Sequence, residues 1–166
     1  MAMAAYAYIK GQKSGAINGS VTQKGRENSI MIIAASHNIR TPRDVQSGLP
    51  TGQRIHGPFT ITKELDKSTP LLLNVLCTNE NLSEVTLKYW TPQIKAGTGV
   101  GSEVQHFTVK LTNANIASFD FRMANIRNPE LQKYTEYEEI AMTYQKIEWT
   151  WTDGGISAVD DWEART

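Results

Sequence analysis

Apolar and polar residues alternate with a period of two over most of this chain. That period is typical of β-strands that cover one face and leave the other to solvent or to a partner. Turn residues separate the runs, as at Asp153-Gly154-Gly155 and at Asn113. Strands are therefore predicted at residues 5–9, 29–39, 59–64, 84–90, 106–111, 118–123, 140–151 and 156–162.

Details of the predicted sheet follow from irregularities in these runs. Residues 29–39 are dense in isoleucine, so we expect a strand with both faces covered, as in a closed or assembled sheet. Residues 112–115 suit a hairpin turn, and residues 95–102 turn the chain. The apolar positions shift from even to odd residue numbers between Tyr144 and Ile147, which predicts a β-bulge near Gln145 and Lys146.

One helix is predicted after the strand at residues 59–64. Ser68 or Thr69 can cap it, and Pro70 suits its first turn because an N–H there would have no intrahelical partner. Residues 71–77 supply an apolar body. Cys77 at its end is expected to pack as a small buried hydrophobe rather than to act as a nucleophile.

Residues 41–58 contain three prolines and three glycines and have no apolar period. We expect an extended loop, and loops of this length in compact domains are usually functional or disordered. The predicted fold is therefore a mainly antiparallel β-barrel or sandwich of two sheets, with one helix and one long loop. At 166 residues, the chain is expected to form a single domain, residues 1–166.

Composition narrows the functional classes. Lysine plus arginine equals aspartate plus glutamate at 17 each, which disfavours nucleic acid and anionic membrane surfaces as partners. A single cysteine rules out an intrachain disulfide, as expected for synthesis in a reducing compartment. The amino terminus lacks a Sec-type basic and apolar signal, and no stretch reaches the ~18–20 apolar residues of a membrane span. We expect synthesis in the cytoplasm.

No cluster of catalytic or metal-binding residues is evident. His37, His56 and His106 show no metal-ligand spacing, and for His56 a hydrogen bond that anchors its loop is expected. The glycines of residues 97–101 lack the ending of a phosphate-binding loop. The acidic residues 136, 138 and 139 are expected to form a solvated or subunit-facing edge. The segment 160–163 either docks on a basic neighbour or is solvated, and the sequence leaves both open.

Tryptophan placement suggests an interaction surface. Trp149 and Trp151 share a face, which usually indicates core packing. Trp90 falls on the polar face of its strand, where an exposed indole favours contact with a partner.

The most distinctive motif is residues 54–76, which run R-I-H-G-P-F-T-I-T-K-E-L-D-K-S-T-P-L-L-L-N-V-L. This motif, an opening strand that ends in Tyr8-Ile9-Lys10, and the late strand at residues 144–151 followed by Asp153-Gly154 resemble the haemolysin-coregulated protein (Hcp) family. That family supplies the tube protein of bacterial type VI secretion.

The resemblance implies a fold and a function. Members form hexameric rings that stack into a tube similar to a phage tail tube, and the loop before the motif reaches the next ring. By that likeness, the inter-ring loop would include Arg43, Asp44, Gln46, Arg54 and His56. Outside that loop, lateral or sheath contacts are expected at Trp90, Glu136, Glu138 and Glu139.

The partners that the resemblance implies are further copies of the chain, sheath, baseplate and spike proteins, and effectors carried in the lumen. Export through type VI secretion to the extracellular space or a target cell would need no Sec signal. No enzymatic activity and no cofactor are expected. The alternative is a monomeric β-barrel that binds a small ligand, although large apolar residues would fill a small barrel.

Overall fold

The computed structural model describes residues 3–94, 101–162 and 164. Within these residues it contains eleven strands, one α-helix and one short 3-10 turn. In chain order they are β1 (Ala5–Gly11), β2 (Gly15–Ile17), β3 (Ile30–Ile32), β4 (Ala34–Ser36), β5 (Ile39–Arg40), β6 (Ile55–His56), β7 (Phe59–Glu64), α1 (Thr69–Cys77), β8 (Leu82–Ile94), β9 (Gly101–Arg122), β10 (Tyr137–Trp151), the 3-10 turn (Asp153–Gly155) and β11 (Ile156–Asp161).

Nine of these strands form one antiparallel sheet, in the order β2-β1-β8-β9-β10-β7-β4. β3 also pairs with β1, and β11 also pairs with β10. β5 and β6 form a separate two-stranded ladder. Among the described residues the sheet is not closed; it folds over its own core as a sandwich. The predicted mainly β fold with one helix is confirmed.

The predicted hairpin turn at residues 112–115 is wrong, because β9 continues through it. Asn113 has a positive φ of 51°, a conformation that asparagine adopts more readily than most residues. Its side-chain amide donates a hydrogen bond to Gln145 Oε1 on β10, at 2.8 Å. The irregularity is thus held inside a continuous strand. The predicted register shift near Gln145 and Lys146 lies instead between Ala141 and Met142, although Tyr144 and Ile147 are both buried.

The predicted strand at residues 29–39 is also wrong in its extent and burial. The chain forms β3, then changes partner at Ile33, then forms β4. β3 pairs with β1, whereas β4 pairs with β7. Residues 30–36 therefore connect two strands that lie far apart in the sheet order. Ile30 and Ile32 are buried, but Ile33 is 50% exposed and all of β4 is exposed.

Apolar side chains fill the interior as one cluster. The predicted inward faces of β7, β8 and the first half of β9 supply much of it. Fully buried members include Ile30, Ile61, Leu72, Leu82, Leu87, Leu111, Ile140, Met142 and Ile147. Some predicted core residues lie outside it: Phe121 is 56% exposed, Met123 is 57% exposed and Trp151 is 46% exposed. The pairing of β9 with β8 ends at Ala114, so Phe121 lies where only β10 is beside β9.

The helix is confirmed, with Ser68 at its N-cap position and Pro70 in its first turn. The Ser68 hydroxyl does not cap the helix; it donates to Asp66 Oδ1, which also accepts from the Ser68 N–H at 2.9 Å. Leu72 and Val75 face the core. Cys77 is exposed, so its predicted burial is wrong. No helix in the described ranges is long and apolar enough to cross a membrane.

Candidate functional site

The long connection before the central motif extends the β4–β7 hairpin. Ser36 pairs with Thr60, the Gly57 N–H donates to the Asn38 carbonyl at 2.8 Å, and Ile39 pairs with His56. Residues 41–54, called the projecting loop below, lie beyond this ladder. The chain leaves β4 and enters β7 at the same end, so the projecting loop points away from Glu64 at the other end of β7. The loop was predicted to span residues 41–58, but Ile55 and His56 form β6.

The tip of the projecting loop, residues 43–49, is a turn held by its own hydrogen bonds. Asp44 Oδ1 accepts hydrogen bonds from the Ser47 N–H at 2.7 Å, the Ser47 hydroxyl at 2.8 Å and the Gln46 N–H at 3.1 Å. These bonds, that of the Ser47 N–H above all, lower the pKa of Asp44. Arg43 Nη1 donates to the Gly48 carbonyl at 3.2 Å. The tip therefore has a defined shape although every residue in it is exposed.

The base of the projecting loop is tied to β11 by an ion pair. Arg54 Nε and Nη2 each donate to an Asp160 carboxylate oxygen at 2.6 Å. Arg54 Nη2 also lies 3.3 Å from the Asp161 carbonyl. This bidentate geometry raises the pKa of Arg54 and lowers the pKa of Asp160, so both groups stay charged at neutral pH.

A chain of hydrogen bonds continues from Asp160 into the protein. His56 Nε2 lies 2.7 Å from Asp160 Oδ2, and His56 Nδ1 lies 2.7 Å from the Tyr144 hydroxyl. That hydroxyl also lies 2.6 Å from His37 Nε2. A carboxylate only accepts, so neutral His56 carries its proton on Nε2 and accepts from Tyr144 at Nδ1. Tyr144 in turn accepts from His37 Nε2.

Burial and charge favour the hydrogen bonds of this network. Its members Arg54, Asp160, His56 and Tyr144 are called the lock below. Burial, reinforced by the charge of Asp160, raises the pKa of Tyr144 far above its ordinary value, so its hydroxyl remains protonated. Burial, and then the neighbouring His56, lowers the pKa of His37. The predicted hydrogen-bonded anchoring by His56 is therefore confirmed. His56 is buried, and it lies with Arg54 at the loop base rather than at the tip.

Trp162 packs against two members of this network, His56 and Tyr144. Its ring stacks on His56 with centroids 5.4 Å apart, and its Nε1 donates to the Tyr144 carbonyl at 2.6 Å. Asp160 and Trp162 thus dock on Arg54 and His56 of their own chain, which decides for residues 160–162 between the two alternatives left open for the segment 160–163. Glu163 lies outside the described residues. The sequence analysis did not identify Tyr144 as part of this site. Its only signal was a tyrosine at a strand position that the alternation predicted to face the core.

Glu138 was predicted on an exposed acidic edge, and that prediction is wrong. It is fully buried and paired with Lys63, which is also fully buried. Lys63 Nζ further donates to Thr69 Oγ1 at 3.1 Å and lies 3.1 Å from Asp66 Oδ1. The alternation of β7 points Lys63 inward, and a buried ammonium requires such partners. The K-E-x-D-x-S-T pattern of the motif therefore joins β7, β10 and the start of α1. Glu136 is exposed and Glu139 is half-buried.

Trp90 is half-buried, which corrects the prediction of an exposed indole. The buried guanidinium of Arg26 lies over its ring, 3.7 Å from the centroid. Arg26 also pairs with Glu103 on β9 and donates to Gln23 Oε1 at 3.1 Å. The indole thus supports the connection between β2 and β3. The predicted turn at residues 95–102 and the glycines at 97–99 lie almost wholly outside the described residues.

Across the described ranges, no group of three or more His, Cys, Asp or Glu residues is arranged to hold a metal ion. The three histidines do not form one site. His37 and His56 meet at Tyr144, whereas His106 packs edge-on against Trp151 with centroids 5.7 Å apart. The candidate functional site is therefore the projecting loop with its anchored base.

Comparison with known proteins places the chain in a family. The model of the family described as type VI secretion system effector, Hcp, matches residues 6–151. The "Major exported protein" of Pseudomonas aeruginosa PAO1 is 36% identical over an alignment of 173 residues, covering 99% of this chain and 98% of that protein. A crystal structure of an Hcp protein is 33% identical, with a TM-score of 0.85 and coverage of 98% of this chain and 99% of that one.

A second solved structure agrees. The Hcp1 protein of the E. coli EAEC 042 pathovar, in a mutant form, is 33% identical with a TM-score of 0.81, and the match covers 97% of this chain and 99% of that one. The resemblance carried by residues 54–76 and 144–154 is confirmed along nearly the whole length. The chain belongs to the Hcp family of type VI secretion proteins.

Proposed function

We propose that this protein is a ring-forming structural subunit of the type VI secretion tube. The Hcp family is a structural family of exported tube proteins, not a family of enzymes. Hexameric rings of this chain stack head to tail and leave the cell when a surrounding sheath contracts. Sheath, baseplate and spike proteins are its partners, and effectors travel in its lumen.

The observation that carries this proposal is the projecting loop, whose base is locked and whose tip is exposed. The lock made by Arg54, Asp160, His56 and Tyr144 fixes the direction of a segment that contributes almost nothing to its own core. Val45 at the tip is 100% exposed and Leu49 is 65% exposed. Large apolar side chains held at a defined exposed position favour contact with another molecule. Stacking would cover them.

Head-to-tail contact is the arrangement that uses such a loop. A heterologous interface repeats the same pair of unlike surfaces, so it closes into rings or extends into filaments. Arg43, Asp44 and Gln46 at the tip would contact the next ring directly, whereas Arg54 and His56 would act by holding the base. Glu136, Glu139 and the uncovered part of Trp90 remain available for lateral or sheath contacts.

Export would follow the type VI route. The protein would be made in the bacterial cytoplasm and secreted through the type VI apparatus to the extracellular space or a target cell. Energy would come from the sheath, so the subunit needs stiff interfaces rather than a nucleotide site. The alternative, a monomeric ligand-binding barrel, is disfavoured because apolar side chains such as Leu87 and Met142 fill the described interior.

The test compares the full chain with a variant that lacks residues 44–53. Light scattering gives the solution mass, and negative-stain microscopy shows ring and stack formation. The proposal predicts annular hexamers for both proteins and stacks for the full chain alone. Monomers of the full chain at tens of micromolar would refute it, and stacks of the deletion variant would remove the loop from the account.

A further inference from the structure

The end of the molecule opposite the projecting loop carries a surface pocket of about 350 Å³. β7 links the two ends: it begins at Phe59, beside the loop base, and ends at Glu64, which lines the pocket. Five residue steps of a strand separate them by roughly 17 Å. The loop tip lies farther out on its own side. A loop and a pocket at opposite ends are the two unlike surfaces that a head-to-tail stack requires.

Three apolar side chains, called the apolar floor below, line part of the pocket, and hydrogen bonds hold its walls. Val21, Met31 and Leu65 contribute apolar surface, and Leu65 is 45% exposed. One wall, residues 20–23, is tied to the other by a hydrogen bond from the Lys67 N–H to Ser20 Oγ at 3.2 Å. The Tyr6 hydroxyl fixes the same wall by donating to Gln23 Oε1 at 3.2 Å. The pocket therefore has a defined shape without any ligand.

The two carboxylates at the pocket differ in the partners that hold them. Glu64 and Asp66 line the pocket. Asp66 is already held by Lys63 and by Ser68, whereas Glu64 accepts one hydrogen bond, from the Thr135 hydroxyl at 2.7 Å. Lys67, which follows Asp66 and precedes α1, is exposed.

The loop tip carries one cation, Arg43, and one anion, Asp44, beside the exposed apolar side chains of Val45 and Leu49. Asp44 accepts three hydrogen bonds within its own turn, whereas Arg43 donates one to that turn and keeps other N–H donors for a carboxylate. Arg43 and the apolar side chains of the tip thus match Glu64 and the apolar side chains of the pocket.

We propose that the pocket beside Met31, Glu64 and Leu65 is the socket that receives the tip of the projecting loop from a second copy of this chain. Val45 enters against the apolar floor, and Arg43 approaches Glu64. This inference rests on the proposed stacking of rings and names the surface on which the loop docks.

Cysteine cross-linking tests the contact directly. With Cys77→Ser as the background, Val45→Cys is combined with Leu65→Cys, and a short bis-maleimide joins thiols that come close. The matched control combines Val45→Cys with Ile126→Cys, because Ile126 is 61% exposed and lies outside the pocket. We expect several-fold more cross-linked chains for the first pair, as ladders on denaturing gels. Equal yields from both pairs would overturn the socket.

Charge reversal gives an independent readout. Arg43→Glu and Glu64→Lys should each weaken stacking roughly two- to fivefold, as for an exposed ion pair, and the double variant should recover it. Additive losses would count against the contact. Light scattering of the unmodified chain separates the two hypotheses: stacked rings without the cross-link overturn the socket alone, whereas a monomeric chain overturns the proposed function itself.

Discussion

Arg54 and Asp160 form a bidentate ion pair across 106 positions of sequence, with both nitrogen–oxygen distances at 2.6 Å. The pair joins the base of the projecting loop to the last strand. A loop that would otherwise be free to pivot is thereby oriented by β11, and β11 is oriented by its pairing with β10. The direction of the loop is a property of the folded subunit.

Removing the ion pair should free the loop without unfolding the subunit. In Arg54→Ala we expect faster hydrogen exchange of amides in residues 44–53 and a loss of stacking, with the melting temperature changed by no more than a few degrees. Arg54 is partly exposed, so its contribution to global stability is small. Arg127→Ala, an exposed arginine away from the loop base, is the control. Unchanged loop exchange in Arg54→Ala would contradict the role of the lock.

The buried Lys63–Glu138 pair should behave in the opposite way, as a determinant of stability. Lys63→Met leaves Glu138 buried without its cation, which costs about 3–5 kcal/mol in unfolding free energy. The double variant Lys63→Met/Glu138→Leu should recover most of that loss, because the fully buried carboxylate is removed together with its cation. Urea denaturation measures both. A cost below ~1 kcal/mol for the single variant would show that Glu138 reaches solvent.

Stability should fall below neutral pH through His37. Burial lowers the pKa of His37 from its ordinary 6.5, so below that value the unfolded chain binds more protons at this site than the folded chain. The contribution is complete above pH 6.5 and is lost progressively as the pH falls. Unfolding free energy in His37→Gln should therefore depend less steeply on pH between 6.5 and 5 than in the unmodified protein. Identical slopes would rule this out.

Gly19 is required by close packing against a neighbouring backbone. A Cβ at this position would lie 2.2 Å from the Ser29 carbonyl oxygen and 2.7 Å from Ile30 Cα. Gly19→Ala should cost about 1–3 kcal/mol, because backbone rather than a flexible side chain must move. Gly52→Ala is the matched control, since its nearest neighbour would be Pro42 Cγ at 3.8 Å. Thermal unfolding of the two variants checks the difference, and equal stabilities would contradict the packing.

The alternation of apolar and polar residues predicted correctly those elements that depend on interactions between residues close in the sequence. The alternation of residues 59–64 corresponds to β7 at both ends, and the helix with Pro70 in its first turn is present. The turn at Asn113 was wrong because a positive φ inside a continuous strand involves the same residue types as a turn. The parity change after Tyr144 was correctly seen, but parity alone does not locate a register shift.

Residues of the candidate site were harder to predict because their environments depend on distant partners. The acidic run at residues 136–139 looks solvated until Lys63, 75 positions away, is seen to neutralise Glu138. Trp90 is covered by Arg26 from a connection with no regular pattern. The loop itself was identified from its composition, whereas its lock to Asp160 depends on the pairing of β11 with β10.

The solution mass of the purified full chain, together with negative-stain images of the same fraction, decides whether this chain builds a stacked tube. We expect a hexameric mass with annular particles that stack, and unstacked rings when residues 44–53 are deleted. A monomer at tens of micromolar, without annular particles, would contradict it.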